Sequence, residues 1–209
     1  MPSSQEILAG LKAIANSWTT LAVIWHAYFG AIIIAVILGA LPKKRPTGIL
    51  LILPLISVSV AAWKFGNPFN GVVFALLAVL AIVIGVKMQC RKAELAPLWA
   101  LLPGAGMFIF GWVYPHFLET TSFIPYLYSA PTGLIPCPTL SIAVGVALIL
   151  NGLGSFAFPL LLGIAGLFYG FIGVFRLGVG IDAVLIAGAA VLLIRAFTLH
   201  PARRPERPV

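Results

Sequence analysis

Charged residues are scarce in this chain. Asp, Glu, Lys and Arg make up 9% of its 209 residues, whereas 61% are hydrophobic. A soluble domain uses about 25% charged and about 45–50% apolar residues. Together with a mean hydropathy of +1.11, this composition excludes an ordinary soluble domain and predicts an integral membrane protein.

Cysteine is also rare, since the chain has only Cys90 and Cys137. The apolar runs predict that these two residues lie at opposite ends of membrane helices, about 30 Å of hydrocarbon apart. We therefore expect no disulfide between them within one chain. There is no CxxC pair and no second cysteine beside Cys137, so a thiol-redox enzyme is not expected either.

The motifs of common enzyme classes are missing from the sequence. It has no P-loop, no G-x-G-x-x-G leading into a βαβ pattern, no HExxH and no pair of carboxylates within an apolar run. We therefore expect neither an enzyme nor a cofactor. The basic residues form short clusters between apolar runs rather than one face, so nucleic acid is not an expected partner.

What the chain does have is long apolar runs. A spanning helix needs about 20 mainly apolar residues, and the sequence predicts an all-α bundle of about seven such helices: 19–41, 47–63, 70–87, 96–114, 138–154, 155–175 and 177–197. The segments outside the bundle are residues 1–18, an outer loop at 115–137 and a basic tail at 198–209.

The distribution of Lys and Arg predicts the orientation. With the N-terminus outside, only Lys12, Lys64 and Arg176 fall on the outer side. All other basic residues then fall inside: Lys43, Lys44, Arg45, Lys87, Arg91, Lys92, Arg195, Arg203, Arg204 and Arg207. The positive-inside rule favours this arrangement, and six crossings would violate it. We expect a multi-pass membrane protein with its N-terminus outside and a cytoplasmic C-terminus.

Residues 3–18 carry apolar side chains, including Ile7, Leu11 and Ile14, at the spacing of one helical face. Ser3 and Glu6 stand at the spacing of a capping box. Two interpretations remain open for this segment. It is either a separate helix lying on the outer membrane surface or an extension of the first spanning helix.

Prolines and glycines inside the predicted helices indicate bends and close contacts. Pro54 predicts a kink in the second spanning helix. In the sixth helix Gly163, Gly166, Gly170 and Gly173 share one face. Small residues in this pattern let helix backbones approach closely, and packing within the chain is favoured over a homodimer seam.

His26 is one of the few titratable groups expected at membrane depth. Such residues are candidates for proton transfer or metal binding. The alternative is a hydrogen bond between helices, which we favour because the same helix offers no second ligand residue at metal-binding spacing.

Cys137 stands between Pro136 and Pro138, just before a long apolar run. Because proline suits the first turn of a helix, we expect Cys137 at or near the N-cap of the fifth spanning helix. The positive end of the helix dipole would then make its thiol a better nucleophile or soft-metal ligand. The alternative is a small apolar residue packed at a sharp turn.

Three further residues are candidate contacts beside Cys137. His116 and Glu119 belong to the same outer loop and would add an imidazole and a carboxylate. Asp182 lies with Arg176 at the outer start of the last helix. We expect these two to pair with each other or with the loop.

Two stretches, YPHFLETT…YSAPTGLIPCPTLSIAVGVALIL and PLLLGIAGLFYGFIGVFRLGVGIDAVLIAG, resemble a bacterial multispanning membrane family catalogued as a domain of unknown function. The matching residues are Gly133, Pro136, Cys137, Pro138, Thr139 and Asp182. The resemblance covers most of residues 63–195 and implies a multi-pass bundle in the bacterial inner (plasma) membrane without an assigned activity. GLIPCP is also similar to the loop-to-helix motif of nickel and cobalt efflux permeases, whose His- and Asp-rich motifs this chain lacks.

Two functional hypotheses follow. The first is binding or transport of a small solute or soft metal that enters from the outer face beneath the 115–137 loop. The second is a non-catalytic structural or assembly subunit of a larger membrane complex, which the scarcity of charge within the helices favours. The lipid bilayer, other membrane subunits and a second copy of the chain are the expected partners.

Overall fold

Helices form the regular structure of the computed structural model, which describes residues 3–40 and 42–199. The predicted tail residues Arg203, Arg204 and Arg207 lie outside these ranges. The helices in chain order are α1 (Ser4–Ser17), α2 (Thr19–Ile37), α3 (Lys44–Leu50), α4 (Ile52–Lys64), α5 (Pro68–Lys87), α6 (Leu98–Val113), α7 (Tyr126–Ser129), α8 (Pro136–Ile149), α9 (Ala157–Phe171) and α10 (Ala183–Leu199).

Five helical segments are long and apolar enough to cross a membrane: Thr19–Ile37, Lys44–Lys64, Pro68–Lys87, Ala157–Arg176 and Gly180–Leu199. The other two predicted spans are the shorter apolar helices α6, with 16 residues, and α8, with 14 residues. At 1.5 Å per residue α8 extends only about 21 Å. An all-α multispanning architecture is thus supported, and the helix lengths divide the seven predicted spans into five long and two short ones.

Residues 3–18 form a helix of their own rather than an extension of α2. The chain leaves helical geometry at Trp18, which has φ −121° and ψ 35°. At the start of α1, the Ser3 side chain accepts a bond from the Glu6 backbone N–H, and the Glu6 carboxylate accepts one from the Ser3 N–H at 2.7 Å. This is the predicted capping box.

The second span is bent near its beginning. Helices α3 and α4 meet at Leu51, three residues before Pro54. Proline lacks an N–H and its ring collides with the carbonyl four residues earlier, which here belongs to Leu50. The bend therefore lies one turn before the proline rather than at it.

Helix α8 forms the centre of the molecule, because every residue from 138 to 150 is buried. Its backbone touches that of α6. A Cβ on Gly145 would lie 2.6 Å from the Phe108 nitrogen, and a Cβ on Gly111 would lie 2.7 Å from the Ile142 nitrogen. Glycine at these crossings lets two helices approach more closely than side chains would allow.

The glycine face of α9 packs against α10 of the same chain. A Cβ on Gly166 would lie 2.8 Å from that of Ala189, and a Cβ on Gly170 would lie 3.2 Å from the Ile186 nitrogen. This contact is the intrachain packing that the sequence favoured over a homodimer seam.

The basic loops meet at one end of the bundle, here called the basic end. The Lys44 N–H donates to the Arg91 carbonyl at 2.8 Å, and the Ala93 N–H donates to the Pro42 carbonyl at 2.9 Å. The Arg45 Nε donates to the Met88 carbonyl at 2.9 Å. These bonds hold the two loops, 42–45 and 88–93, side by side.

The opposite end, here called the α1 end, is covered by the first helix. Ser4 Oγ donates to the Arg176 carbonyl at 2.9 Å, and Asn16 Nδ2 donates to the Phe117 carbonyl at 2.9 Å. Helix α1 is thereby fixed across the connections that follow α6 and α9.

A candidate binding cavity at the α1 end

A cavity of about 140 Å³ lies beneath α1. Ile7 and Leu11 of α1 form its cover, and Phe117 forms part of its wall. Most of the lining is apolar: Ile7, Leu11, Phe69, Phe117, Ile135, Pro136, Ile172, Gly173, Leu177 and Val179. Its polar lining comes from Asn67, Asn70, Cys137, Tyr169, Arg176 and Asp182. Such a mainly apolar space with a few converging polar groups is the usual form of a small-molecule site.

Asp182 is the buried acidic residue of this cavity, with an exposed fraction of 1%. The Tyr114 hydroxyl donates a hydrogen bond of 2.6 Å to its Oδ1. A buried carboxylate is costly unless it is hydrogen-bonded, and Tyr114, itself fully buried, supplies the bond. Asp182 also directly precedes Ala183, the first residue of α10, where the helix dipole favours negative charge.

Gly173 has no side chain, and the Asp182 carboxylate occupies the space where one would lie. A Cβ on Gly173 would overlap with Asp182 Oδ2. No other residue fits there without displacing the carboxylate. This glycine, predicted as part of a helix-packing face, is therefore also a component of the cavity wall.

Cys137 lies in the same cavity as Asp182. Its thiol makes a long contact of 3.9 Å to the Tyr169 carbonyl, and both Cys137 and Asp182 line the cavity. Cys137 is the second residue of α8, since Ile135 is the N-cap and Pro136 the first residue. The helix thus begins two residues earlier than predicted, because Pro136 rather than Pro138 occupies its first position. Both cysteines are free thiols.

The segment that leads into α8 is buried, because residues 129–136 all have low solvent exposure. The second half of the 115–137 loop, which was predicted to cover the outer face, therefore lies inside the bundle. Gly133 adopts a left-handed φ of 76°, and its N–H donates to Thr139 Oγ1 at 2.8 Å. That hydroxyl donates in turn to the Ile135 carbonyl at 2.7 Å. Buried backbone groups need such partners.

Asn70 and Tyr169 form a second polar pair in the lining. The Tyr169 hydroxyl donates to Asn70 Oδ1 at 3.1 Å. Asn67 instead caps α5, because its side chain accepts a bond from the Asn70 N–H at 3.1 Å. Nothing in the sequence paired Asn70 with Tyr169, which lie 99 residues apart.

His116 and Glu119 do not join Cys137. Glu119 pairs with Lys12 at 3.0 Å on the surface. His116 packs against the Phe117 ring, with 4.3 Å between centroids, and burial lowers the pKa of its imidazole. It lines a separate surface depression beside Lys12. Phe117, whose φ is 75°, lines both this depression and the cavity beneath α1.

His26 is buried, and its ring connects α2 with α6. Nδ1 lies 2.8 Å from the Ala22 carbonyl and Nε2 lies 2.9 Å from the Trp112 carbonyl. Because both nitrogens face carbonyl oxygens, neither is open to a metal. Within residues 3–40 and 42–199, no group of three or more His, Cys, Asp and Glu side chains is placed to hold a metal ion.

Arg176 lines the cavity but does not neutralise Asp182. The ion pairs of the described part of the chain are Lys12–Glu119 and Lys44–Glu94, so the pairing expected between Arg176 and Asp182 is not formed. The sequence missed Tyr114 as the partner of Asp182, because an aromatic residue at a helix end is equally typical of a membrane interface.

Comparisons of this chain with protein-family models, curated proteins and solved structures found no match. The resemblances to an uncharacterised membrane family and to metal efflux permeases therefore stay predictions. The fold and the cavity place the chain among candidate multispanning membrane proteins.

Proposed function

We propose that the protein crosses the bacterial inner membrane seven times, with α1 outside and the basic end in the cytoplasm. Five helical segments long enough to span support this topology. So does the gathering of the 42–45 and 88–93 loops at one end, because Lys and Arg accumulate on the cytoplasmic side. The short helices α6 and α8 would cross with local thinning or within the protein interior.

At the outer face the protein binds a small, mainly apolar solute in the cavity beneath α1. This proposal rests mainly on one observation. Cys137 and Asp182, far apart in sequence, both line one mainly apolar cavity of about 140 Å³. An apolar cavity of about 150 Å³ accommodates benzene. A solute of this size fits the space.

The polar lining favours a solute with one hydrogen-bond donor. Tyr114 already binds Asp182 Oδ1, and the carboxylate has further capacity to accept a hydrogen bond. A soft metal would find one thiol, Cys137, and one carboxylate, Asp182, in this lining, whereas protein zinc sites use at least three protein ligands. An organic solute therefore suits the cavity better than a metal ion.

Thiol chemistry at Cys137 tests the proposal. In a Cys90→Ala background, a small membrane-impermeant methanethiosulfonate applied to the outer face of intact cells should modify Cys137. Ile7→Trp places a large ring in the cavity cover and should slow the reaction. Gln5→Trp, on an exposed position of the same helix, is the matched control and should leave the rate unchanged.

Labelling after unfolding shows that the thiol is intact. The cavity is not an outer binding site if Cys137 reacts only after unfolding, or only in inside-out vesicles. Equal rates for Ile7→Trp and Gln5→Trp would show that the reagent reaches Cys137 by another path.

The alternative function is that of a structural or assembly subunit, and the exposure of α2 supports it. Only 22% of this span is buried within the chain, the lowest share among the five long segments. Purification in a mild detergent separates the two functions. A stable assembly with other chains favours the subunit, and a uniform monomer or dimer favours solute binding.

A further inference from the structure

A second cavity, of about 460 Å³, lies at the basic end between α5 and the start of α9. Lys44 and Lys87 contribute its two cationic side chains. Gly154, Ser155 and Ala157 form the wall on the α9 side. The positive end of the α9 dipole adds to the field of the two lysines.

The charge of this cavity is poorly compensated. Lys87 makes no ion pair or hydrogen bond with any side chain in the described ranges. Lys44 has one ionic partner, Glu94, at 3.7 Å, and that carboxylate is 73% exposed. The basic end carries Lys43, Lys44, Arg45, Lys87, Arg91, Lys92 and Arg195 against the single carboxylate of Glu94 within residues 3–40 and 42–199.

The cavity is a preformed part of the fold. Lys44 is the first residue of α3, and its backbone N–H donates to the Arg91 carbonyl. Met88, another lining residue, accepts the bond from Arg45. A Cβ on Gly154 would lie 2.6 Å from Lys44 Nζ. The Lys44 ammonium therefore extends over the Gly154 backbone toward α9.

An apolar surface continues from the cavity along α5. Val83 and Ile84 belong to the lining, and Leu76, Val79 and Val83 follow each other at helical spacing, exposed by 56%, 55% and 46%. A cationic pocket joined to an apolar helix face is complementary to an amphiphile with a negative head and a hydrocarbon tail.

We propose that this cavity binds the phosphate of an anionic phospholipid of the inner leaflet, with an acyl chain along α5. The lysines Lys44 and Lys87 hold the phosphate oxygens, and the exposed α5 residues contact the chain. Basic pockets between membrane helices on the cytoplasmic side are typical sites for such head groups. The assignment to the inner leaflet rests on the orientation proposed above, whereas lipid binding here is independent of solute binding at the outer cavity.

Lipid binding to the purified full-length protein tests this assignment. Delipidated protein in a neutral detergent is titrated with phosphatidylglycerol, phosphatidylcholine or inorganic phosphate, and bound lipid is counted by native mass spectrometry. Phosphatidylglycerol should bind most tightly. Lys87→Gln should weaken it about fivefold, which corresponds to about 1 kcal/mol per lysine.

Lys92→Gln is the matched control, since it removes the same charge from the same end at a residue that does not line the cavity. It should leave phosphatidylglycerol binding nearly unchanged. The ligand-free melting temperature of each variant verifies that it is folded, and Lys44→Gln serves as a second cavity variant.

Three results would overturn the proposal. If Lys92→Gln weakens binding as much as Lys87→Gln, the attraction is a general surface effect. If phosphatidylcholine binds as tightly as phosphatidylglycerol, the head-group charge is not recognised. If inorganic phosphate binds as tightly as the lipid, the cavity is a site for free phosphate.

Discussion

The contact between α6 and α8 predicts a large difference between two identical substitutions on one helix. A Cβ on Gly111 would lie 2.7 Å from the Ile142 nitrogen and the Pro138 oxygen, whereas a Cβ on Gly106 meets nothing within 4 Å. Ordinary contact begins near 3.4 Å, so Gly111→Ala requires the two backbones to separate by about 0.7 Å. Overpacking of this kind costs about 1–3 kcal/mol.

Both substitutions share the intrinsic gain of alanine over glycine in a helix, about 0.5–1 kcal/mol. The overpacking term therefore sets the difference between the two variants. For a chain of this size 1 kcal/mol shifts the melting temperature by about 2–4 °C. Gly111→Ala should thus melt roughly 2–12 °C below Gly106→Ala.

Thermal unfolding in detergent, followed by tryptophan fluorescence, measures this difference. Far-UV circular dichroism of each variant before heating shows whether the helices are intact. If Gly111→Ala melts at or above Gly106→Ala, the backbones of α6 and α8 are not in contact and the central position of α8 is wrong.

Three further substitutions test contacts outside this helix crossing. Tyr114→Phe removes the donor to Asp182 and should lower the free energy of unfolding by about 1–3 kcal/mol; a double-mutant cycle with Asp182→Ala, which removes the acceptor, should show coupling, and additive effects would contradict the bond. Ser57→Ala removes the acceptor of Trp25 Nε1, which lies 3.1 Å away, and should cost about 0.5–1.5 kcal/mol without changing the helix content. Burial lowers the pKa of His116 below that of the unfolded chain, so the unfolded state binds more protons as the pH falls below about 6.5. Stability should therefore decline through that range in the wild type and less so in His116→Gln; equal pH profiles for the two would exclude this imidazole as the source.

The two ends of helix α1 differ in how far the sequence predicted them. The start of α1 was predictable, because Ser3 and Glu6 satisfy each other's backbone groups within one turn. The break at Trp18 was not, since the residues on both sides of it favour a helix. Two residues before the break, Asn16 Nδ2 donates to the Phe117 carbonyl in the loop after α6, a contact that the local sequence does not specify.

The residues of the cavity illustrate the same limit. Cys137 and Asp182 were candidates because each follows a turn and begins a helix. The loop position of His116 and Glu119 suggested that they would join Cys137. Proximity in sequence was misleading there, because Glu119 pairs with Lys12 on the surface and His116 lines a separate depression.

Several properties depend on the sequence alone. Composition and the length of the apolar runs predict helices suited to a membrane, since a helix satisfies its backbone N–H and C=O groups within one segment and needs no water. The spacing of basic residues likewise predicts which loops lie together, because each span reverses the direction of the chain. These are local properties of segments.

Only the tertiary structure determined which side chains meet. Tyr114 binds Asp182 across 68 residues, and Tyr169 binds Asn70 across 99. Helix α8 is surrounded because Gly111 and Gly145 let α6 approach it, which no single segment specifies. A buried carboxylate and a thiol share one cavity because the packing of α8, α9 and α10 places their ends together, and that packing is a property of the whole bundle.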